Sequence, residues 1–452
     1  MRIEEDVLGT IEVEDDKLWK SQTQRSLQNF PIGTEKMPSS LIRAFALLKK
    51  CCAMANLRFG KISFFAQEAI VHVCDEILSE TMYDQFPLAV WQTGSGTQTN
   101  MNFNEVITTA GNRWLKDTVL DPNDVVNASQ SSNDTFPAAL HIMAASLVHQ
   151  KLLPALDGMI SEMKRLETEN EGIIKIGRTH LQDATPLYFS GEISGWRSML
   201  EHSRAHIVQA LEPVYELAIG ATAVGSGINC PKGFDEAFCA IISGQTGLPF
   251  VPDPNKYHAL TSRDAMVFLS GALKGLAANL MKIANDIRWL ASGPRCGIGE
   301  ITIPANEPGS SIMPGKVNPT QCEMLTMVAV QVMGNDAAVG MAASQGNFEL
   351  NVFLPLIAYN MDQSITLLSD GMASFTLRCL AGLEANQEKM EANLYQSLML
   401  VTCLNPVIGY KKAALAARTA HEQGISLKEA VVSLGLLSPE EFDEIVRPEK
   451  MV

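Results

Sequence analysis

Basic clusters, membrane-length apolar runs and Cys-x-x-Cys pairs are missing from this 452-residue sequence, in which Cys51-Cys52 is the only close pair of cysteines. Lys and Arg total 35 against 50 Asp and Glu, and the formal net charge of -15 leaves no basic footprint for nucleic acid or an anionic membrane. None of the nine cysteines forms a Cys-x-x-Cys spacing, which disfavours structural zinc and a disulfide framework. The amino terminus is acidic, unlike a signal or transit peptide, and the longest apolar segment, residues 265–291, is interrupted by charges. We therefore expect a cytoplasmic globular protein with free thiols and no metal.

That apolar segment also carries the clearest helical signal. It contains two interleaved seven-residue series, Met266, Leu273, Leu280, Ile287 and Leu269, Leu276, Ile283, Leu290. Their offsets of three and four form an a/d seam, which predicts a long helix that ends at Ser292-Gly293-Pro294. Small residues on the other faces favour a buried bundle over the alternative, a solvent-facing coiled coil. Similar patterns without period-two alternation predict a mostly helical protein at residues 138–167, 194–217, 321–343 and 355–379.

Near the carboxyl end the pattern changes from long helices to short ones. Ser426 with Glu429 and Ser438 with Glu441 have the spacing of capping boxes, and Gly424 suits a helix C-cap. The sequence therefore predicts a small carboxyl-terminal helical domain.

The segment 309–319 reads GSSIMPGKVNP, in which two glycines and two prolines oppose helix and strand. It must form a loop, and the loop carries the hydroxyls of Ser310 and Ser311, the ammonium of Lys316 and the carboxamide of Asn318. These groups suit a small anion, whereas the alternative is an ordinary surface turn with a solvated lysine.

Four other polar strings accompany the loop: QTGSGTQ at 92–98, SQSSND at 129–134, GRTHLQD at 177–183 and GNFELN at 346–351. In this order the strings resemble those of the fumarase/aspartase superfamily and, within it, the class II fumarases, over essentially the whole chain. The resemblance implies an all-α fold of three domains, namely an amino-terminal lyase domain at 1–130, a central bundle of long helices at 131–386 and a small helical domain at 387–452. It also implies a homotetramer in which each active site collects residues from three subunits.

The chemistry of the superfamily is the addition or removal of a proton beside a carboxylate of a four-carbon diacid. The resemblance implies reversible hydration of fumarate to L-malate, as in the tricarboxylic acid cycle, through an aci-carboxylate and without a cofactor. It makes Ser310 the base at carbon, and pairs His180 with Glu323 to handle the proton of water. The alternatives are that Ser310 is a hydrogen-bonding turn serine and that His180 is a core histidine with its hydrogen bonds satisfied. The implied substrate-binding residues are Ser95, Gly96, Thr97, Ser131, Ser132, Asn133, Thr179, Ser311, Lys316 and Asn318.

The chain departs from the family pattern at an accessory anion site. Asp121 stands where His is usual, ahead of Asn123 and Asp124, and Thr118 stands where a basic residue is usual. Because a carboxylate at 121 would repel a dicarboxylate, we expect weak or absent accessory binding. Three other departures put affinity, regulation or subunit contacts in question: Gly191, Leu354 and Tyr359.

Aspartase is the nearest alternative activity. Aspartase-like chains commonly carry Gln at the position of His180 and Ala at that of Gly315, so both residues favour water over ammonia. Argininosuccinate and adenylosuccinate lyases share the loop, but their guanidino and nucleobase pockets have no visible counterpart. An inactive, crystallin-like scaffold is the non-enzymatic alternative.

Overall fold

A computed structural model describes residues 1–452 and is predominantly helical, as the sequence predicts. The longer helices are α2 Ser39–Arg58, α3 Phe64–Leu78, α4 Thr97–Leu115, α5 Ser132–Leu147, α6 Leu153–Glu169, α7 Phe189–Ala210, α8 Phe234–Thr246, α10 Asp264–Leu290, α11 Thr320–Ala343, α12 Leu354–Arg378 and α15 Tyr410–Gln423. The shorter helices are α1 Ser21–Asn29, α9 Lys256–Thr261, α13 Gln387–Gln396, α14 Asn405–Ile408, α16 Leu427–Ser433 and α17 Pro439–Ile445.

Eight short strands form four two-stranded sheets. The strands are β1 Arg2–Asp6, β2 Gly9–Val13, β3 Ile174–Thr179, β4 Gln182–Tyr188, β5 Glu216–Leu217, β6 Val251–Pro252, β7 Ile301–Thr302 and β8 Glu384–Ala385. The pairs β1·β2, β3·β4 and β7·β8 are antiparallel, and β5·β6 is parallel. The β3·β4 hairpin matters for function, because it carries the GRTHLQD string.

The chain divides into two compact units. The first contains Met1–Pro154, Ser203–Ala277 and Val328–Asp370, and the second contains Ala155–His202, Ala278–Met327 and Gly371–Val452. The division into three domains along the sequence stays a prediction. A separate hydrophobic cluster formed mostly by residues 394–451, including Leu404, Val431 and Phe442, supports its carboxyl-terminal member.

The seam on α10 is buried along its whole length. All eight seam residues, from Met266 to Leu290, are at most 5% exposed, which confirms a core helix and excludes the solvent-facing coiled coil. By length and composition alone, α10 and α11 could also cross a membrane. Core helices pass the same test, and α10 is interrupted by charges such as Lys274 and Asp286.

Local capping signals correctly place the short carboxyl-terminal helices. Both predicted capping boxes form. The hydroxyls of Ser426 and Ser438 accept from the backbone amides of Glu429 and Glu441, whose carboxylates accept from the backbone amides of the two serines. Gly424 adopts φ 63° as the C-cap of α15.

Predicted and observed helix bounds differ at several places. The helix predicted at 194–217 spans Phe189–Ala210. The helix predicted to start at 138 begins at Ser132, because Ser131 and Asp134 form a further capping box. The pattern at 138–167 is divided by a π-helical turn, Val148–Leu152, between α5 and α6.

Candidate active site

Five of the predicted substrate-binding residues form one cluster in the first unit. We name it the hydroxyl cluster; its members are Ser95, Thr97, Ser131, Ser132 and Asn133. The Thr97 hydroxyl lies 2.9 Å from that of Ser95 and 2.8 Å from that of Ser132, which joins the amino-terminal ends of α4 and α5. Hydroxyls and free amides at helix starts suit an anionic oxygen.

Gly96 permits the tight entry into α4. It adopts φ 73°, and a Cβ at this position would lie 2.0 Å from the Phe136 ring. Any side chain would therefore push the buried ring or the loop away, so Gly96 supports the hydroxyl cluster through its backbone.

The carboxylate of Asp134 fixes the hydroxyl cluster from behind. It accepts from the backbone amides of Ser131 at 2.9 Å, Gly220 at 3.1 Å and Thr222 at 2.9 Å. Burial raises the pKa of Asp134 to about 6, although the three amides oppose the rise. The sequence analysis missed Asp134, but the Ser-x-x-Asp capping spacing is a signal that could have identified it.

Lys49 is a buried cation on α2 that the sequence analysis also missed. Its ammonium donates to the carboxamide oxygens of Gln130 at 2.9 Å and Asn127 at 3.3 Å. Burial lowers its pKa to about 8, and Asp134 is close enough to oppose that shift. Gln130, the residue before Ser131, is thus hydrogen-bonded to a buried charge. No local sequence pattern predicts this contact.

His180 occupies the tip of the β3·β4 hairpin in the second unit. Thr179 pairs with Gln182, so His180 and Leu181 form a two-residue turn with φ 56° and 60°. The left-handed region costs roughly 1–2 kcal/mol for each non-glycine residue, and such strain concentrates at functional sites. Thr179 and His180 are exposed and the ring has no hydrogen-bond partner in the chain, which excludes a satisfied core histidine.

The hairpin is held next to its turn by a buried carboxylate. Glu300, fully buried, accepts from Arg178 at 2.6 and 3.0 Å and from Asn393 at 2.9 Å, and lies 3.3 Å from the ammonium of Lys175. Burial alone would raise the pKa of Glu300, but its hydrogen-bonded and charged partners outweigh burial and lower it. Arg178, the residue before Thr179, is therefore rigidly placed, while His180 and Leu181 at the tip are exposed to solvent.

The loop 309–319 is closed at its base by its own backbone and by Asn318. The Gly309 amide donates to the Lys316 carbonyl at 2.9 Å, and the Asn318 carboxamide donates to the Gly309 carbonyl at 2.7 Å. A Cβ on Gly309 would lie 2.4 Å from the Lys316 carbonyl oxygen, so this closure requires glycine. Lys316 and Ser311 are exposed at the loop surface.

Two backbone amides point at the hydroxyl of Ser310. The Ser310 oxygen accepts from Ile312 at 3.3 Å and from Met313 at 3.0 Å. This is the geometry of a hydrogen-bonding turn serine, the alternative given for Ser310, and the same two donors would stabilise negative charge on its oxygen.

Glu323 lies in the first turn of α11 and is exposed. No hydrogen bond or ion pair joins it to His180 within the chain, although both belong to the second unit. The expected Glu323–His180 pair is therefore not formed inside one subunit.

At the expected accessory site, Asp121 holds its own turn. Its carboxylate accepts from the amides of Asn123 and Asp124, both at 2.7 Å. This Asx turn occupies two amides that could otherwise face an anion.

The other departures from the family pattern have different surroundings. Leu354 is fully buried, and its amide donates to the Gly94 carbonyl at 2.9 Å, beside the hydroxyl cluster. Tyr359 is half-buried on α12, and the carbonyl of Gly191 accepts from the hydroxyl of Ser194. Nothing in the structure explains Gly191 or Tyr359.

Comparison with known proteins identifies the family. The family model described as "Lyase" matches residues 9–334, and the one described as "Fumarase C C-terminus" matches residues 400–452. The "Fumarate hydratase class II" of Helicobacter pylori (strain J99) is 58% identical, over 100% of this chain and 98% of that protein. The chain belongs to the class II fumarate hydratase family. That of Bacillus subtilis (strain 168) is 57% identical over the same shares of both chains.

A solved member of the class II fumarase family has the same fold. The crystal structure of recombinant class II fumarase from Schistosoma mansoni is 43% identical, with a TM-score of 0.97 over 100% of this chain and 98% of that chain. The resemblance drawn from the motifs and the fumarase/aspartase-like fold are thereby confirmed, and the chain is assigned to the hydro-lyases.

Proposed function

We propose that this chain catalyses the reversible hydration of fumarate to L-malate, the reaction of the tricarboxylic acid cycle. The observation that supports it most directly is the pair of amides on the Ser310 oxygen, in a chain of this family. A serine hydroxyl is too weak an acid to serve as a base at neutral pH unless its anion is stabilised, and the two amides supply that stabilisation.

In the direction from malate, the Ser310 alkoxide takes a proton from the carbon beside one carboxylate. The electron pair of that C–H bond moves into the carboxylate, which becomes an aci-carboxylate with a second full negative charge. Lys316 and the remaining N–H of Asn318 stabilise this charge, because both are cationic or donor groups on the same closed loop.

His180 then protonates the departing hydroxyl, and in the hydration direction it removes a proton from the attacking water. Its free ring and exposed position at the hairpin tip support this role. Glu323 of another subunit would orient the imidazole and raise its basicity.

The hydroxyl cluster binds the second carboxylate. Thr97 and Ser132 supply hydroxyl donors at the starts of α4 and α5, and Gly96 permits the tight entry of the chain into α4 beside Phe136. Thr179 and Ser311, which flank the two reacting side chains, complete the contacts.

We further propose a cytoplasmic homotetramer in which three subunits complete each site. Apolar side chains beside the proposed site residues are exposed in the single chain: Leu181 by 65%, Ile312 by 83% and Phe348 by 91%. In the first unit, a groove of about 820 Å³ runs beside Val267, Phe268 and Gly271 of α10 and Gly340 of α11. Small residues next to apolar ones suit close packing of a helix from a second copy.

The experiment is an ultraviolet absorbance assay with fumarate, with and without ammonium, followed by chiral separation of the products. L-malate under both conditions supports the proposal. Product that forms only with ammonium would establish aspartase chemistry, and absence of any product would refute the proposed reaction. Light scattering of the same sample tests the tetramer, and crystals grown with malate test accessory binding near Asp121.

A further inference from the structure

A cavity of about 370 Å³ lies in the second unit, on one side of the loop 309–319. Its walls come from the last turn of α10 and the residues after it, from β7, and from the end of the loop. This volume is within the range of small-molecule sites. The residues that supply its polar character are Arg288, Ser292, Thr302, Lys316 and Asn318.

Two cations line this cavity and no carboxylate does. Arg288 is half-buried in the last turn of α10, and it has neither a hydrogen-bond nor an ion-pair partner in the chain. The ammonium of Lys316 likewise has no partner, and Lys316 lines the same cavity as Arg288. In a chain of net charge -15, with 50 acidic residues, two unpaired cations in one cavity mark a local anion site.

The position of Arg288 on its helix does not account for this arrangement. A cation in the last turn interacts favourably with the helix dipole, but that interaction is equally available to a side chain directed into water. A partly desolvated guanidinium loses hydration that an anionic ligand would restore. Ser292 is not available for that purpose, because its hydroxyl donates to the Trp289 carbonyl and accepts from the Ile298 amide.

We propose that this cavity binds one carboxylate of the dicarboxylate substrate, with Arg288 as an anchoring residue that acts together with Lys316. The inference rests on the proposed function and extends it to a residue outside the recognised motifs. The guanidinium fork matches the two oxygens of a carboxylate, whereas the ammonium of Lys316 acts as a point charge that can follow the developing aci-carboxylate. Because the guanidinium already pairs with the full negative charge of the carboxylate in the bound substrate, most of its contribution is made before the transition state, so its loss affects KM more than kcat.

A second source of the same chemistry is an Asp or Glu side chain from another copy of this chain. That source would make Arg288 an assembly residue, and its loss would change the oligomeric state and leave the affinity for small dicarboxylates unchanged. The experiment must therefore measure ligand affinity and assembly separately.

The test uses the variants Arg288→Met and Arg288→Lys, with Arg418→Met as a matched control from the exposed face of α15. Binding of succinate, a saturated four-carbon dicarboxylate that cannot react, is measured by calorimetry, and kcat and KM are measured with fumarate and L-malate. Loss of a charge-assisted pair weakens binding by roughly 10- to 100-fold. We expect that change in the succinate Kd and in KM for Arg288→Met, with kcat within about threefold, partial recovery in Arg288→Lys, and wild-type values in Arg418→Met.

Each outcome bears on the inference. An unchanged succinate Kd and KM in Arg288→Met would overturn it, as would dissociation of the oligomer with unchanged affinity in the residual assembly. A fall in kcat at constant KM would also overturn it, because it would place Arg288 in the chemical step. If the wild type binds succinate through Arg288 but does not hydrate fumarate, the anion site stands and the proposed reaction fails.

Discussion

The hydroxyl cluster and the exposed pair of reacting segments, the His180 turn and the loop 309–319, are built in opposite ways. In the hydroxyl cluster, side chains bond to one another, and Asp134 and Lys49 support them from the interior. In the exposed segments, His180 and Lys316 have no partner, and His180 lies at a positive φ. The side chains of the hydroxyl cluster are thus fixed in advance, while the His180 ring and the Lys316 ammonium are left without partners. Ser310 differs from both, because its hydroxyl oxygen accepts from two amides of its own loop.

This difference has a physical cause. A binding site gains affinity when its donors are oriented before the ligand arrives, since no side-chain entropy is then lost. A base or acid must instead keep its lone pair or proton available, and a buried partner would occupy it. The contrast predicts that changes in the exposed segments reduce the rate, and changes in the hydroxyl cluster reduce stability or affinity.

The largest expected effect is that of His180→Asn on turnover. Asn tolerates the left-handed conformation of this position, so the turn is retained while the acid–base group is lost. We expect kcat to fall by roughly 10²- to 10⁴-fold, with unchanged circular dichroism and melting temperature. Retained turnover would remove His180 from the chemistry, and a large loss of stability would contradict the contrast.

The next effect concerns the pH dependence of stability through Asp134. Its pKa in the folded protein, about 6, lies above the ordinary value of 3.8, so the folded state keeps a proton that the unfolded chain has lost between these values. The free energy of unfolding therefore falls as pH rises from about 4 to about 6, by up to about 3 kcal/mol from this group, and then levels off. Urea unfolding of Asp134→Asn across pH 4–8 should lack this component.

If the Asp134→Asn profile runs parallel to that of the wild type over the same pH values, Asp134 does not carry the predicted titration.

A smaller effect is expected for Thr97→Val, which deletes the central hydroxyl of the cluster at nearly constant shape. The loss of neutral hydrogen bonds, about 1 kcal/mol, should raise KM roughly fivefold while kcat changes less. Thr93→Val, in the same loop but outside the cluster, serves as the control. Steady-state kinetics would count against the assignment if kcat fell and KM stayed constant.

The smallest expected effect is that of Asp121→Ala on stability. The variant loses two backbone contacts of an exposed turn, and we expect a cost of about 0.5–1 kcal/mol. Asp121→Asn keeps the accepting oxygen and should cost less, as thermal unfolding can measure. A larger loss in the Asn variant than in the Ala variant would show that the Asx turn is not what Asp121 provides.

Sequence-based prediction succeeded best for features that a few neighbouring residues determine. The seam of α10, the two carboxyl-terminal capping boxes and the loop 309–319 each follow from neighbouring residues, and all are present in the structure. The start of α5 was misplaced because an Asp at the third helical position was not recognised as part of a capping box. That error also concealed the role of Asp134.

The amino-acid sequence by itself determined which segments become helices and which polar strings must lie in turns, since backbone preference and hydrophobic periodicity act over a few residues. The tertiary structure alone decided that Glu300 holds Arg178 across 122 residues, that Lys49 bonds to Gln130 across 81, and that Arg288 lines a cavity with Lys316. These arrangements depend on the simultaneous packing of distant elements, which fixes the burial and electrostatic environment of each charge. No local pattern encodes that environment.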